Sequence, residues 1–265
     1  GYGHVAVVEQ VGNGRVYISE ANWNGYCSGD NIISRRWSGT SGVQFIHSKG
    51  YTPGDTTPTP ATPPPPPVPW TFENLEGDSN AISPHNADVG KTPTAIQFNG
   101  KFYVFHYDAT YGDLRYSWTN PGWVTDILDG NGGANGRTTA NVGQTPTAVV
   151  YNNVLHVLYY DAANGNLRHA YSPDGSSWTF ENLDGDPGSI GGLNANLGQT
   201  PTAVVHGATL QVFYHDAQNG NLRHAWSTGN NAWSFETLDG DAGSVSHYNA
   251  TVGLDPTAVS YNGTL

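Results

Sequence analysis

The sequence predicts an all-β protein, most of it a partial β-propeller of about three full four-stranded blades. Three observations predict that class. First, one stretch recurs: WTFENLEGD from Trp70, WVTDILDGN from Trp123, WTFENLDGD from Trp178 and WSFETLDGD from Trp233, at intervals of 53, 55 and 55 residues. Second, three other markers keep the same beat. Thr-Pro-Thr-Ala begins at Thr92, Thr145 and Thr200, with Asp-Pro-Thr-Ala at Asp255. Tyr-Asp-Ala or His-Asp-Ala centres on Asp108, Asp161 and Asp216, and a Gly-x-Leu-Arg run ends at Arg115, Arg168 and Arg223. Markers in fixed order at one period define a repeat array. Third, the chain holds 34 glycines in 265 residues, with 12% aromatic and only 12% charged residues, a composition that suits turn-rich β structure.

Each repeat holds four short strand candidates, separated by turn chemistry. In the third copy they are Ala148 to Tyr151, Leu155 to Tyr160, Leu167 to Tyr171 and Trp178 to Leu183. Asn152-Asn153, Ala163-Asn164-Gly165-Asn166 and Pro173-Asp174-Gly175 divide them. Four strands per unit of this length is the pattern of a propeller blade, and the rungs of a β-helix are shorter. The array opens on a stray fourth-strand motif at Trp70 and ends in a stub after Asp255. Since known propellers have at least four blades, a chain cut short at its end is expected.

Residues 1–50 are different. The run His4 to Val11, the tip Gly12-Asn13-Gly14 and the run Arg15 to Trp23 read as a hairpin. A three-residue tip pairs Val11 with Arg15, His4 with Asn22 and Ala6 with Glu20. His4, Glu20 and Asn22 then share one face, whereas a one-residue slip would separate them. An imidazole beside a carboxylate and an amide is what a nucleophile needs as its base; the alternative is a structural strand histidine. Residues 51–69 form a linker, TPGDTTPTPATPPPPPVP from Thr52 to Pro69. Proline lacks the donor a sheet needs, and the run favours a semi-rigid polyproline tether.

GHVAVVEQV, ISEANWNGY and a closing strand Val43 to His47 resemble the C-terminal half of a CHAP domain, the cysteine, histidine-dependent amidohydrolases/peptidases. That resemblance covers roughly residues 1–48. It implies a β-rich fragment of an α+β, papain-like domain and an enzyme that cuts peptidoglycan. It makes His4 the catalytic base, Glu20 its orienting carboxylate, and Asn22 an alternative or additional one. The family's nucleophilic cysteine stands well before the histidine. Cys27, the one cysteine, is downstream of it and reads as an ordinary loop thiol. The expectation is a fragment that lacks its nucleophile and is inactive. The absence of any methionine fits a fragment or a processed chain.

The repeats resemble sialidase-like and fucose-lectin-like propellers. Ser172-Pro173-Asp174-Gly175-Ser176-Ser177-Trp178 is similar to the sialidase Asp-box turn, one residue short, and that turn is structural in its family. What the resemblance implies is architecture and glycan binding, with one site per blade cleft. The candidate sugar-binding residues are Arg115, Arg168 and Arg223, the aromatics Trp118, Tyr171 and Trp226, and the carboxylates Glu181 and Glu236. Ions would bond hydroxyls and rings would stack on a pyranose. The competing reading is that the arginines lock the fold and the aromatics fill the space between blades.

The formal net charge of −12 excludes a phosphate backbone as the natural partner. No apolar run approaches the length of a membrane helix, and Asp-Gly-Asp tips at Asp184 and Asp239 offer too few oxygens for calcium. No metal or cofactor is expected. The combined expectation is a fragment of an exported peptidoglycan hydrolase carrying a glycan-binding propeller, secreted or at the cell surface. The alternative is a lectin-like or protein-interaction propeller without hydrolase activity.

Overall fold

The computed structural model describes residues 7–12, 15–21, 32–37, 71–229 and 232–265, the first three segments as backbone only. The chain divides into two units, residues 1–69 and 70–265. Among the described residues no helix is long and apolar enough to cross a membrane.

In the first unit, β1 (Val7–Gly12), β2 (Arg15–Ala21) and β3 (Ile32–Trp37) form one antiparallel sheet in the order β1-β2-β3. The turn differs from expectation. Gly12 pairs with Arg15 and Val11 with Val16, so two residues separate the strands, the loop length that Asn-Gly favours. A bulge between Val8 and Gln10 then absorbs one residue, and Val7 pairs with Ser19. Beyond the bulge the register is therefore the one a three-residue tip would have given. Glu20 lies opposite Ile33 of β3. His4, Asn22, Cys27, the expected strand at Val43 to His47 and the linker lie outside the described residues.

The second unit contains three four-stranded antiparallel sheets, each a simple meander. The first is β4 (Lys91–Phe98), β5 (Lys101–Asp108), β6 (Asp113–Asn120) and β7 (Gly122–Asp129). The second is β8 (Val142–Tyr151), β9 (Val154–Asp161), β10 (Asn166–Ser172) and β11 (Thr179–Asp184). The third is β12 (Leu197–His206), β13 (Thr209–Asp216), β14 (Asn221–Ser227) and β15 (Trp233–Asp239). Local chemistry sets the turns. Asn152 and Asn153 take φ of 51° and 59°, the left-handed pair of a tight hairpin. Asp161 and Asp216 each accept two backbone N–H groups from the turn that comes next. That is why an aspartate recurs after the second strand.

The cores lie between successive sheets. Phe105, Tyr116 and Leu114 of the first sheet pack with Leu155, Val157 and Tyr159 of the second and with Trp178, just ahead of β11. Leu158, Leu167 and Leu183 of the second pack with Leu210, Val212 and Tyr214 of the third.

A repeated polar clasp crosses each of these seams. Asp129, at the end of β7, is fully buried. Its Oδ2 accepts the Tyr159 hydroxyl at 2.6 Å and Arg168 Nε at 3.0 Å. Its Oδ1 accepts the N–H groups of Gly130 and Thr138 at 3.0 and 2.8 Å. Asp184 repeats the pattern one sheet on, with Tyr214 at 2.8 Å and Arg223 Nη2 at 3.0 Å. Glu76, ahead of β4, does so one repeat earlier, paired with Arg115 and with His106 Nε2 at 3.3 Å. In all three the arginine lies 39 residues after its carboxylate. The first clasp swaps tyrosine for histidine and aspartate for glutamate, so the longer carboxylate reaches the shorter donor. A cavity of about 130 Å³ beside His106 and Ser117 accompanies the change.

Burial alone would raise the Glu76 pKa, but hydrogen bonds from His106 and Arg115 outweigh it and hold the carboxyl at about 2. Burial first, then the neighbouring carboxylate, pushes the Tyr159 and Tyr214 phenols well above their usual range. Both remain neutral donors.

The Thr-Pro-Thr motifs of all four copies, including Asp255-Pro256-Thr257, line one cavity of about 380 Å³. Thr92, Thr145 and Thr200 take φ of 48°, 47° and 46°, a conformation costing a β-branched residue about 1–3 kcal/mol. Each sits at a bulge in its first strand. Thr145 N–H donates to Thr92 Oγ1, and Asp255 N–H to Thr200 Oγ1, both at 3.2 Å. The first strands thus converge as the inner strands of propeller blades do.

If the clasp carries the seam, Asp184→Ala strands a buried guanidinium and a phenol and costs about 3–5 kcal/mol, whereas Tyr214→Phe costs about 1 kcal/mol. Urea denaturation of the two variants measures this, and equal small losses would refute the ranking.

Candidate functional site

A strand sends alternate side chains to opposite faces, and the alternation along β10 divides its residues between two seams. Arg168 points to the first sheet, where Nε meets Asp129. Its Nη1 reaches Asn182 Oδ1 at 2.5 Å, and its Nη2 the Gly136 carbonyl at 2.7 Å. His169 and Tyr171 point the other way, and Trp233 of the third sheet packs edge-on to His169 with ring centres 5.5 Å apart. The arginine and the aromatic expected to share a sugar site therefore stand on opposite faces of one strand. The same offset separates Arg115 from Trp118 and Arg223 from Trp226. The three arginines are buried in the clasps. Their terminal guanidinium nitrogens bond groups of the fold, which is the locking role, while Arg115 Nε and Arg223 Nε are buried without a hydrogen-bond partner.

On the face towards the third sheet lies a cleft of about 300 Å³. Tyr171, His156 and Asn152 line it from the second sheet, and Ser227, Gly229 and Trp233 from the third. Behind Tyr171 runs a chain of polar groups. Glu181 Oε1 meets His169 Nδ1 at 2.8 Å, and His169 Nε2 meets His156 Nδ1 at 2.9 Å. The two imidazole planes lie 6° from parallel with centres 5.1 Å apart, so the rings meet edge to edge through this bond. Register makes this arrangement, because His169 pairs across with Glu181 and His156 with Tyr171.

The third sheet keeps part of the chain. Glu236 meets His224 Nδ1 at 2.8 Å, and His224 Nε2 meets Gln211 Oε1 at 2.6 Å. Trp226 stacks on His224 at 4.9 Å. In the first sheet Trp118 stacks on Tyr116 at 4.6 Å. There Tyr103 stands where His156 stands in the second sheet, and it is only 1% exposed. A Cβ on Gly175 would lie 2.1 Å from its hydroxyl, so the Asp174 turn is seated directly on that ring. Trp178 closes the same seam edge-on to Phe105 and Tyr116 at 5.9 and 6.0 Å. The shorter histidine, with Ser227 and Gly229 across from it, leaves the corresponding place open one sheet on.

Of the expected residues, Tyr171 lines the cleft, and Glu181 reaches it through His169. Trp118, Trp226 and Glu236 lie in the equivalent columns of other sheets. His156 and Trp233 escape the sequence reading. Strand alternation could have found His156, since it sits directly opposite Tyr171 and on the far face from Arg168. Among the described residues no group of three His, Cys, Asp or Glu side chains is placed to hold a metal ion.

No family model matches the chain, and no curated protein matches it. Among solved structures it is similar to the catalytic domain of a Coprinopsis cinerea GH62 alpha-L-arabinofuranosidase, with 15% identity, a TM-score of 0.41, and 58% of this chain and 51% of that one covered. It is similar to a family 117 glycoside hydrolase of Zobellia galactanivorans, with 16% identity, a TM-score of 0.43, and 64% and 61% covered. It is also similar to a variant of Aleuria aurantia lectin in complex with alpha-methyl-L-fucoside, with 15% identity, a TM-score of 0.39, and 88% and 62% covered. The chain spans about half the length of the first of these structures. At this level of likeness, the ligand or activity named for each belongs to that protein alone.

Burial first, and the His169 ring second, lower the His156 pKa from 6.5 to about 3, against a smaller opposing pull from a backbone hydrogen bond at Tyr151. The unfolded chain therefore takes up this proton as pH falls through about 6.5, while the folded chain resists until about 3. Unfolding is favoured throughout that window, so stability is lost as pH falls across it. His156→Gln, which copies Gln211, should remove that component. The urea midpoint of the wild type should fall more than that of the variant between pH 7.5 and 5, and parallel declines would contradict the assignment.

Proposed function

We propose that residues 71–265 are a carbohydrate-binding, lectin-like section of a β-propeller, its ligand seated in the cleft between the second and third sheets. The observation that carries this reading is the cleft itself, where Tyr171 and Trp233 rings stand beside His156, Asn152 and Ser227 around about 300 Å³. A pyranose has an apolar face that stacks on a ring and a rim of hydroxyls that needs fixed polar partners. The arginine columns, taken from the sequence as sugar contacts, serve the clasps in this reading. In this reading the cleft between the second and third sheets takes the place of the site expected in every blade. Binding should be weak and close to one ligand per chain. On a glycan array, Trp233→Ala and Tyr171→Ala should each lose at least about tenfold in signal, the scale of one lost stacking contact with its burial. Trp118→Ala should bind as the wild type does. Equal losses in all three, or none, would sink this site.

A second reading extends the first. We propose that the parent protein is an exported peptidoglycan hydrolase, with the propeller holding a CHAP-like domain near its glycan through the Thr/Pro linker and so raising its local concentration. What supports it is the GHVAVV and SEANW motifs, together with the register beyond the β1 bulge. Beyond that bulge Val7 pairs with Ser19, in the register expected from a three-residue tip. His4 would act as base, oriented by Glu20 and Asn22, once an upstream cysteine is supplied. A longer chain that supplies a cysteine ahead of His4 should lyse cell walls in a thiol-dependent way, dead in His4→Ala and intact in Cys27→Ser. Death of the Cys27→Ser variant would end the reading.

A further inference from the structure

We infer that the cleft selects neutral, hydroxyl-rich sugars over acidic ones, and that His156, held by Glu181 through His169, is its specificity-determining polar contact. The inference rests on the lectin reading of this cleft.

Three observations carry it. The first is charge. The described residues that line the cleft include no lysine or arginine, and the three repeat arginines are buried in clasps on other faces. The chain as a whole carries a net charge of −12. A carboxylated sugar entering here would shed its water with no cation to replace it and against a field of its own sign. The second is the geometry of the polar chain. Glu181 accepts from His169 Nδ1 at 2.8 Å, and His169 Nε2 fixes His156 Nδ1 at 2.9 Å. That fixes the plane of a ring that lines the cleft. A ring held in one orientation binds a hydroxyl without the entropy cost that a mobile side chain would incur. The third is the comparison between sheets. The first sheet has Tyr103 and Tyr116 in the two histidine columns, with Asp126 opposite Tyr116. Its seam is filled by Gly175 and Trp178. The third sheet keeps the carboxylate and the middle histidine but places Gln211 at the end. Only the second sheet joins a complete chain to an open cleft among the described residues.

The third sheet also supplies the control. Gln211 keeps a 2.6 Å bond to its middle histidine, so His156→Gln retains a polar end to the chain, whereas His156→Leu removes it at similar volume. The full chain, its His156→Leu variant and its His156→Gln variant are tested against an array of neutral, sialylated and uronic-acid glycans, with thermal melting of each as a fold control. The inference expects the wild-type signal on neutral glycans. It expects a loss of about tenfold or more in His156→Leu, the scale of one buried hydrogen bond left unmade, and recovery to within about threefold in His156→Gln. A preference for acidic glycans overturns it. So does undiminished binding by a folded His156→Leu, or failure of His156→Gln to recover although its melting matches the wild type. Each of these leaves the lectin reading standing. No binding to any glycan by the wild type removes the lectin reading, and this inference with it.

Discussion

The carboxylate that closes one sheet and receives the arginine of the next is the interaction on which the array of three sheets depends. Asp129 and Asp184 are fully buried, and an ionised carboxylate in that setting is tolerable only when every lone pair is met. For Asp129, two backbone N–H groups from its own turn, and a phenol and a guanidinium from the next sheet, meet them. Half of the carboxylate's partners thus belong to one sheet and half to the next. A sheet cannot slide or peel away without leaving a charge unsolvated. The apolar seams supply most of the burial. The clasp supplies direction, since only one offset between neighbouring sheets brings the two halves together.

Commitment of the arginines to the clasps decides where chemistry is left over. Each sheet turns one face to its predecessor, with the arginine and the tyrosine or histidine donor. It turns the other to its successor, with the middle aromatic or imidazole and the outer ring of the third strand. The forward face is free of clasp duties, so its residues can vary. Between the first and second sheets, Tyr103 and the Asp174 turn fill the space. That turn is rigid, because the Ser176 and Ser177 N–H groups both bond Asp174 Oδ1 at 2.7 and 2.6 Å, and these bonds hold its carboxyl well below the usual range. Between the second and third sheets, a shorter histidine facing Ser227 and Gly229 leaves the cleft. A single repeat scaffold therefore yields a packed seam at one place and a cleft at the next.

Much of this is legible in the sequence. The repeat period marks out the sheets, and the Asn152-Asn153 and Asp161 turns fall where local chemistry puts them. Three of the second sheet's strands match their expected bounds to within a residue or so. Its first strand is longer than expected: β8 starts at Val142, well before Ala148, because a bulge lets Thr145 and Pro146 stay inside it. The hairpin tip of the first unit is one residue shorter than expected, and the compensating bulge at Val8 to Gln10 has no signature in a run of β-branched residues. The candidate sugar residues come from repeat columns, and a column does not say which face it occupies. Arg168 and Tyr171 are three apart, an odd spacing that no regular strand places on one side. What sequence could not show is that the carboxylate partner of an arginine lies 39 residues back, since the partner's identity depends on how neighbouring sheets are offset.

The most direct measurement of the clasp is a double-mutant cycle on Arg168 and Asp129, read by urea denaturation of Arg168→Met, Asp129→Asn, the double variant and the wild type. If the pair holds one sheet to the next, the single losses will not add. The coupling should reach about 2 kcal/mol or more, as for close, desolvated charge pairs. Additivity to within about 0.5 kcal/mol would mean that the two residues act independently, and the seam would then rest on its apolar packing alone.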